Sequence, residues 1–533
     1  MAPSAFFRLG AGILAAAAAL RLAGLGRSEL WHDEFCSLLM LADPGGVLAA
    51  AASSATTPDG GNPPLYYLLL AGWTRILGLS DLAVRGLSTL AGVAQVAVTG
   101  ALVRAAGGGR EAALAGMGVA AVASLPAFYS TEARAYAWLL LLVTGAVCTF
   151  FRALRRGGPL EWALHAAVLA AAWYTHNLAL PFTASFWIAA VVLRAGRRGF
   201  LGLAAAHVAV VALYSPWIPV LAAQSGSETH EWIRLWWERT SALRAVTWSL
   251  ELLGIAGPAP EYLDLPRIPS AVRWGSAALT AAALIGAFAP PSARERSGAP
   301  RRAAAALTVF VLFPLAFLLV YSWTKAPLYL VGRYDLPAAA AFPALAGLGL
   351  ARLGARTGRA GAIALVAAGT ALALGAHHQR LFPPSLHTPP GDKSDRIETL
   401  ARHAGPDDLI VCTGFTASEI LAQAYRRDLR FQVVTFPRAL RSHVGWYNPG
   451  NDLARGEEAL RAEADDLVRR AMAAPRAFLV AQTGAAGGAH ARLIAILQDS
   501  LTRQGCQALY PPSEALRWQE LGVCALACGE PAR

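Results

Sequence analysis

Apolar runs that approach the length of a bilayer crossing recur along this chain. Ala112–Phe128, Phe200–Leu221 and Ala303–Val320 carry no Asp, Glu, Lys or Arg. About 20 apolar residues in a helix cross the ~30 Å hydrocarbon core, and in lipid only helices and closed barrels satisfy their own backbone. Composition agrees: of 533 residues, 55% are hydrophobic and 15% charged, and the mean hydropathy is +0.42. A soluble chain carries roughly 25% charged residues. The pattern predicts a polytopic α-helical membrane protein and excludes a disordered chain, a collagen, a coiled coil and a small disulfide scaffold.

The periodicity predicts eleven spans, at about 6–25, 86–104, 112–128, 135–151, 161–177, 179–193, 200–221, 271–290, 303–323, 337–351 and 360–378. One set of intervening loops is short and basic: Arg104–Glu111, Arg152–Arg156, Arg194–Arg198, Arg294–Arg302 and Arg352–Arg359 hold fifteen arginines against two acids. The other set, 27–85, 129–134, 222–270 and 324–336, is mixed or acidic. Basic residues in short loops mark the cytoplasmic side. The N-terminus is then cytoplasmic, and everything after about 379 is outside the cytoplasmic membrane. The segment Pro64–Leu77 is apolar for about 14 residues, too short to cross. Counting it as a span would turn every arginine-rich loop outward, so it is expected to be interfacial or re-entrant. The net charge of +12 lies in these loops and not on one face of a soluble module, which excludes a nucleic-acid partner. Only Lys325 and Lys393 are lysines among 46 basic residues.

Two domains are expected. Residues 1–378 form the membrane domain, including a first outer loop at 27–85, and residues 379–533 form an α/β domain outside the membrane. Asp408–Cys412 and Ala477–Ala481 read as buried strands, Thr416–Arg427 and His490–Gln504 as amphipathic helices, and Pro383–Pro390 as a linker. Four of the six cysteines, Cys412, Cys506, Cys524 and Cys528, lie in this outer domain, where disulfides persist. At least one is expected; the spacing leaves the pairing open.

Chemistry-bearing residues gather on the outer side. The first loop contains Trp31-His32-Asp33-Glu34, where one carboxylate can take a proton while its neighbour supports it. Glu132, Arg134 and Tyr136 occupy a short hairpin, His176 ends a span, and Lys325, Arg333, Tyr334 and Asp335 join two more. Each also fits a structural role: Asp33 and Glu34 as a helix cap, Glu132–Arg134 as a local ion pair, His176 as a helix-end cap, Arg333–Asp335 as a snorkelling pair. Their shared sidedness favours a site. Cations beside carboxylates at a lipid boundary suit a phosphate-bearing lipid, with guanidinium forks on the phosphate. Ionisable groups at membrane depth are costly and usually functional.

Trp31-His-Asp-Glu34, Asn62-Pro-Pro-Leu-Tyr66 and Asp81-Leu-Ala-Val-Arg85 together resemble the opening of the GT-C glycosyltransferases. The bacterial members similar to protein O-mannosyltransferases and to the lipid A aminoarabinose transferase match best. Glu132-Ala-Arg-Ala-Tyr136, Tyr174-Thr-His176 and Arg333-Tyr-Asp-Leu-Pro337 resemble later landmarks, and the likeness covers about residues 5–380. It implies inverting transfer of a sugar from a polyprenyl-phosphate donor to an extracytoplasmic acceptor. Asp33 would be the catalytic carboxylate supported by Glu34, and Arg85, Lys325 and Arg333 would hold the donor phosphate. Trp31, His32, Asn62, Tyr66, Glu132, Arg134, His176 and Tyr334 would line the site. Glu132 and His176 are the candidates for a divalent ion. One departure is that the aminoarabinose transferases carry Glu-Lys before the Pro-Pro pair, where this chain has Gly61-Asn62. The alternatives are another outer-face enzyme, such as an O-antigen ligase, and a transporter or flippase for a lipid-linked glycan. A transporter should show repeat symmetry and broken helices near the midplane.

Overall fold

In the computed structural model all residues are described except 1, 24, 27–28, 53–61, 225–230, 257–267, 291–298, 382–391, 442–448, 483–487 and 529–533. The Pro383–Pro390 linker and the first residues of the Arg294–Arg302 loop therefore lie outside the described residues. The chain forms two compact units. The first contains Met1–Arg27, Asn62–Leu221 and Glu228–Leu386; the second contains Ser28–Gly61, Ala222–Ser227 and His387–Arg533.

The first unit is helical. Among the described residues, eight helices are long and apolar enough to cross a membrane: Pro3–Leu22, Asp81–Ala105, Tyr136–Arg156, Arg197–Ala223, Ser270–Phe288, Arg301–Thr324, Leu336–Gly358 and Ala360–His377. The other three expected spans are shorter. The first breaks after Val122 and resumes as Ser124–Tyr129, the second ends at Trp173, and the third divides into Ala179–Phe182 and Ala184–Val192. Pro126 and Pro181 lie at two of these interruptions, where a missing N–H weakens the ladder. The last two spans meet at Gly358, whose φ of 71° reverses the chain in a region open to glycine and costly for other residues. The helix Leu65–Leu77 has 13 residues, about 20 Å at 1.5 Å per residue and short of a crossing.

Small residues let these helices approach closely, as is usual in lipid. A Cβ at Gly349 would overlap the Ala283 carbonyl oxygen, and one at Gly347 would meet the backbone of Gly116. The first helix is held by a buried cation: Arg21 is 1% exposed and donates to the carbonyls of Ala17 (3.1 Å), Ala121 (3.0 Å) and Ala120 (3.4 Å). The latter two carbonyls lie at the end of helix Arg110–Val122, where no intrahelical donor reaches them.

The second unit is α/β. Its strands are β1 (Leu409–Thr413), β2 (Gln432–Phe436), β3 (Ala477–Val480), β4 (Cys506–Leu509) and β5 (Val523–Cys528). They form one sheet in the order β2-β1-β3-β5-β4. β1 runs parallel to β2 and β3, and β5 runs antiparallel to β3 and β4. Every residue of β1 and β3 is buried, as expected of central parallel strands covered on both faces. The expected strands and helices appear within a residue or two of their sequence bounds, and Cys506 and Cys528 form a disulfide joining the two edge-side strands. Cys412 and Cys524 are buried thiols. Of the first outer loop, expected whole with the membrane domain, the described residues 29–52 group with this unit, while Asn62 onward groups with the first.

Candidate functional site

In the first unit, Tyr136 is the point where three distant motifs meet. The Arg134 guanidinium lies 5.8 Å and that of Arg333 5.5 Å from the centre of the Tyr136 ring, within range of a cation–π contact. The Tyr129 and His176 rings lie 4.6 and 5.3 Å from the same ring. The hairpin is held from beneath by the hydroxyls of helix Asp81–Ala105: Thr89 donates to the Ser130 carbonyl (2.9 Å) and Ser88 to that of Arg134 (3.3 Å). The Tyr129 hydroxyl donates to the Gly332 carbonyl at 2.6 Å, fixing the turn that carries Arg333 and Tyr334. Gly332 has φ 78°. Two guanidiniums directed at one ring, with Arg134 buried, form a strongly cationic locus suited to an anion.

Other expected residues surround this unit's motifs. The Leu65 amide donates to the Tyr174 carbonyl at 2.9 Å, so the Asn62–Tyr66 motif docks on Tyr174–His176. Tyr66 is fully buried. The His176 Nδ1 accepts from the Leu178 amide at 3.2 Å, a helix-end role beside its ring contact. Arg85 is buried and donates to the Leu25 carbonyl at 3.0 Å. Glu132 is buried. Lys325 is exposed past the end of its helix, in contrast with the buried arginines. Among the described residues no group of three His, Cys, Asp or Glu side chains is placed to hold a metal ion.

Sequence reasoning missed a hydrogen-bond chain beside this turn. The Tyr329 hydroxyl donates to Ser249 Oγ at 3.0 Å, and Ser249 donates to Asp335 Oδ2. Trp237 stacks on Tyr329 with centres 6.1 Å apart. Asp335 is buried, and its Oδ1 has no partner. Burial pushes its carboxyl up to about 6, against the Ser249 hydrogen bond, which favours the anion. The expected Arg333–Asp335 pairing is not what holds this carboxylate. No sequence signal links Ser249 to it.

The second unit holds the first-loop acids. Helix His32–Leu41 starts at Trp31, and the Trp31 amide donates to Glu34 Oε2 at 3.2 Å. Glu34 therefore caps its own helix and is fully buried, while Asp33 is half-buried. The His32 ring packs 4.3 Å from that of Phe415, and its Nδ1 lies 2.8 Å from Ser418 Oγ.

A bundle of spans with buried Arg134 and half-buried Arg333 at one aromatic hub, followed by an α/β unit, has the fold of a polytopic GT-C membrane protein. The chain has the GT-C fold. It is similar over its whole length to ArnT from Cupriavidus metallidurans in the apo state, with TM-score 0.64 and 12% identity, covering 99% of this chain and 98% of that one. Over 81% of this chain and 86% of that one it is similar to the same protein bound to undecaprenyl phosphate, with TM-score 0.52 and 13% identity. An Archaeoglobus fulgidus oligosaccharyltransferase tethered with an acceptor peptide is similar at TM-score 0.53 and 12% identity, covering 99% of this chain and 74% of that one. At such identities the likeness defines the fold. No family model matches the chain, and no curated protein matches it in sequence.

Proposed function

We propose that this protein transfers a sugar from a polyprenyl-phosphate donor to an acceptor outside the cytoplasmic membrane, with inversion at the anomeric carbon. The reading is supported by the Arg134–Tyr136–Arg333 locus, in which Arg134 and Tyr136 are buried and Arg333 half-buried, in a fold shared with a protein bound to undecaprenyl phosphate. Arg134 and Arg333 hold the donor phosphate, with Arg85 and Lys325 adding positive charge. Asp33 takes the proton of the acceptor hydroxyl as its oxygen forms the new glycosidic bond. The bond from the anomeric carbon to the phosphate oxygen breaks, and its electron pair leaves with polyprenyl phosphate. Proton removal during attack by a weak hydroxyl nucleophile is worth roughly 10²–10⁴ in rate. Glu34 supports Asp33 by fixing the first turn of their common helix. By charge parity the acids, the α/β unit and the acceptor share the outer side.

The test is turnover by the purified protein in lipid nanodiscs, supplied with radiolabelled polyprenyl-phosphate sugars and an envelope extract. Release of polyprenyl phosphate coupled to labelling of a glycan, lipid or protein supports the reading. Movement of intact donor between leaflets without transfer makes the protein a flippase, and use of only pyrophosphate-linked oligosaccharides makes it a ligase.

A further inference from the structure

The α/β unit grips the chain immediately before and after Trp31. Both oxygens of the Glu29 carboxylate accept backbone N–H groups, from Lys393 at 3.1 Å and Ser394 at 2.9 Å. Glu29 thereby caps the N-terminus of helix Asp392–His403, where two donors lack intrahelical partners and the dipole favours an anion. The grip is reciprocal. Lys393 Nζ donates to the Leu30 carbonyl at 3.0 Å and sits 5.7 Å from the centre of the Phe35 ring. Burial lowers the Lys393 ammonium, while Glu419, Glu29 and Glu34 oppose that shift and Arg396 adds to it. A lysine, in a chain that otherwise uses arginine almost throughout, fits where a point charge must reach one carbonyl.

On the other side of Trp31, the Ser418 hydroxyl donates to the Phe415 carbonyl at 2.8 Å. Its oxygen is therefore left to accept from the His32 Nδ1–H at 2.8 Å. Helix Asp392–His403 and helix Thr416–Arg426 are themselves joined by the buried Arg396–Glu419 ion pair, and Arg396 Nε donates to the Leu521 carbonyl at 2.8 Å. Asp33 thus follows directly on a segment held at Glu29, Leu30 and His32 by fixed elements of the α/β unit.

We propose that the C-terminal α/β unit is a positioning scaffold for Asp33, and that Lys393 and Ser418 are positioning residues that act through that carboxylate. This rests on the transfer reaction proposed above. A carboxylate that takes a proton in the transition state must be held closely, and a displacement of about 1 Å can cost on the order of 10²-fold.

The experiment measures kcat, donor KM and melting temperature for Lys393→Met, Lys393→Arg, Ser418→Ala and Asp33→Asn, and for the first and third combined with Asp33→Asn. Lys393→Met keeps the stem over Phe35 and removes the charge; Ser418→Ala deletes one oxygen. Each should lower kcat by roughly 10- to 100-fold with donor KM changed less than about 2-fold, and Lys393→Arg should restore part of the loss. In the Asp33→Asn background neither should lower turnover further, because residues acting through one group are not additive. Near-normal kcat in both single variants overturns the proposal. So does a loss that persists in full on the Asp33→Asn background, or one that tracks melting temperature alone. Absence of any sugar transfer by the unmodified protein overturns the transfer reading itself, a result distinct from all of these.

Discussion

The Glu34 carboxylate accepts the Trp31 amide at 3.2 Å, and this contact separates two neighbouring acids by role. Successive helix residues point about 100° apart, so the acid that caps the helix and its neighbour face different ways. Glu34 takes the cap and is buried; Asp33 is the half-buried member.

Asp33→Asn should lower turnover by roughly 10²–10⁴ with melting temperature nearly unchanged. Glu34→Gln keeps an oxygen that can accept the Trp31 amide, so it should change melting temperature little and lower turnover less than Asp33→Asn does. Paired turnover and thermal-melting measurements check both. If Glu34→Gln is the more damaging to turnover, the two roles are exchanged.

The two guanidiniums beside Tyr136 should act on donor binding. Arg134→Ala or Arg333→Ala leaves a desolvated phosphate short of a charged partner, a loss of about 1–3 kcal/mol. Donor KM should rise roughly 5- to 150-fold with a smaller change in kcat. Lys325→Ala, at an exposed position, should raise KM by less than either arginine change. Unchanged KM in both arginine variants would make the pair structural.

Asp335 should make stability depend on pH. Burial raises its folded pKa to about 6 from the ordinary carboxyl value of 3.8. The protonated carboxyl is therefore the form the fold prefers. Its contribution is full below about pH 4 and is lost as pH rises through about 6. Asp335→Asn removes that titration, so the fall in melting temperature between pH 5 and pH 7 should be smaller in the variant. An equal fall in both proteins would show that Asp335 does not titrate in this window.

Sidedness is open to direct labelling. Thr502→Cys, exposed in the α/β unit, should react in intact cells with a thiol reagent that cannot cross the membrane, and Thr357→Cys, exposed in an arginine-rich turn, should not. The reverse pattern would place the acids and the α/β unit in the cytoplasm.

Much of the architecture was legible because the relevant signals are local. A bilayer-length apolar run is visible in its own residues, so the eight long spans were readable, as was the shortness of Leu65–Leu77. Buried parallel strands are continuous apolar runs, so β1 and β3 were readable too. The shorter interrupted helices were not, because Pro126 and Pro181 divide runs that are apolar throughout.

Residue-by-residue signals were enough to define a polytopic helical protein with an α/β unit after the last span, with carboxylates, guanidiniums and aromatics in one set of loops. Hydropathy and charge act residue by residue, and they set which segments enter lipid. Folding alone sets the partnerships: Arg134 and Arg333 at one ring, Ser249 on Asp335, and Glu29 exchanging bonds with the helix of Lys393. It also groups residues 29–52 of the first outer loop with the α/β unit. Such contacts join residues from 86 to more than 360 positions apart through single hydrogen bonds and ring faces. Their geometry exists only once the chain has folded, and no local pattern encodes which distant donor will meet which acceptor.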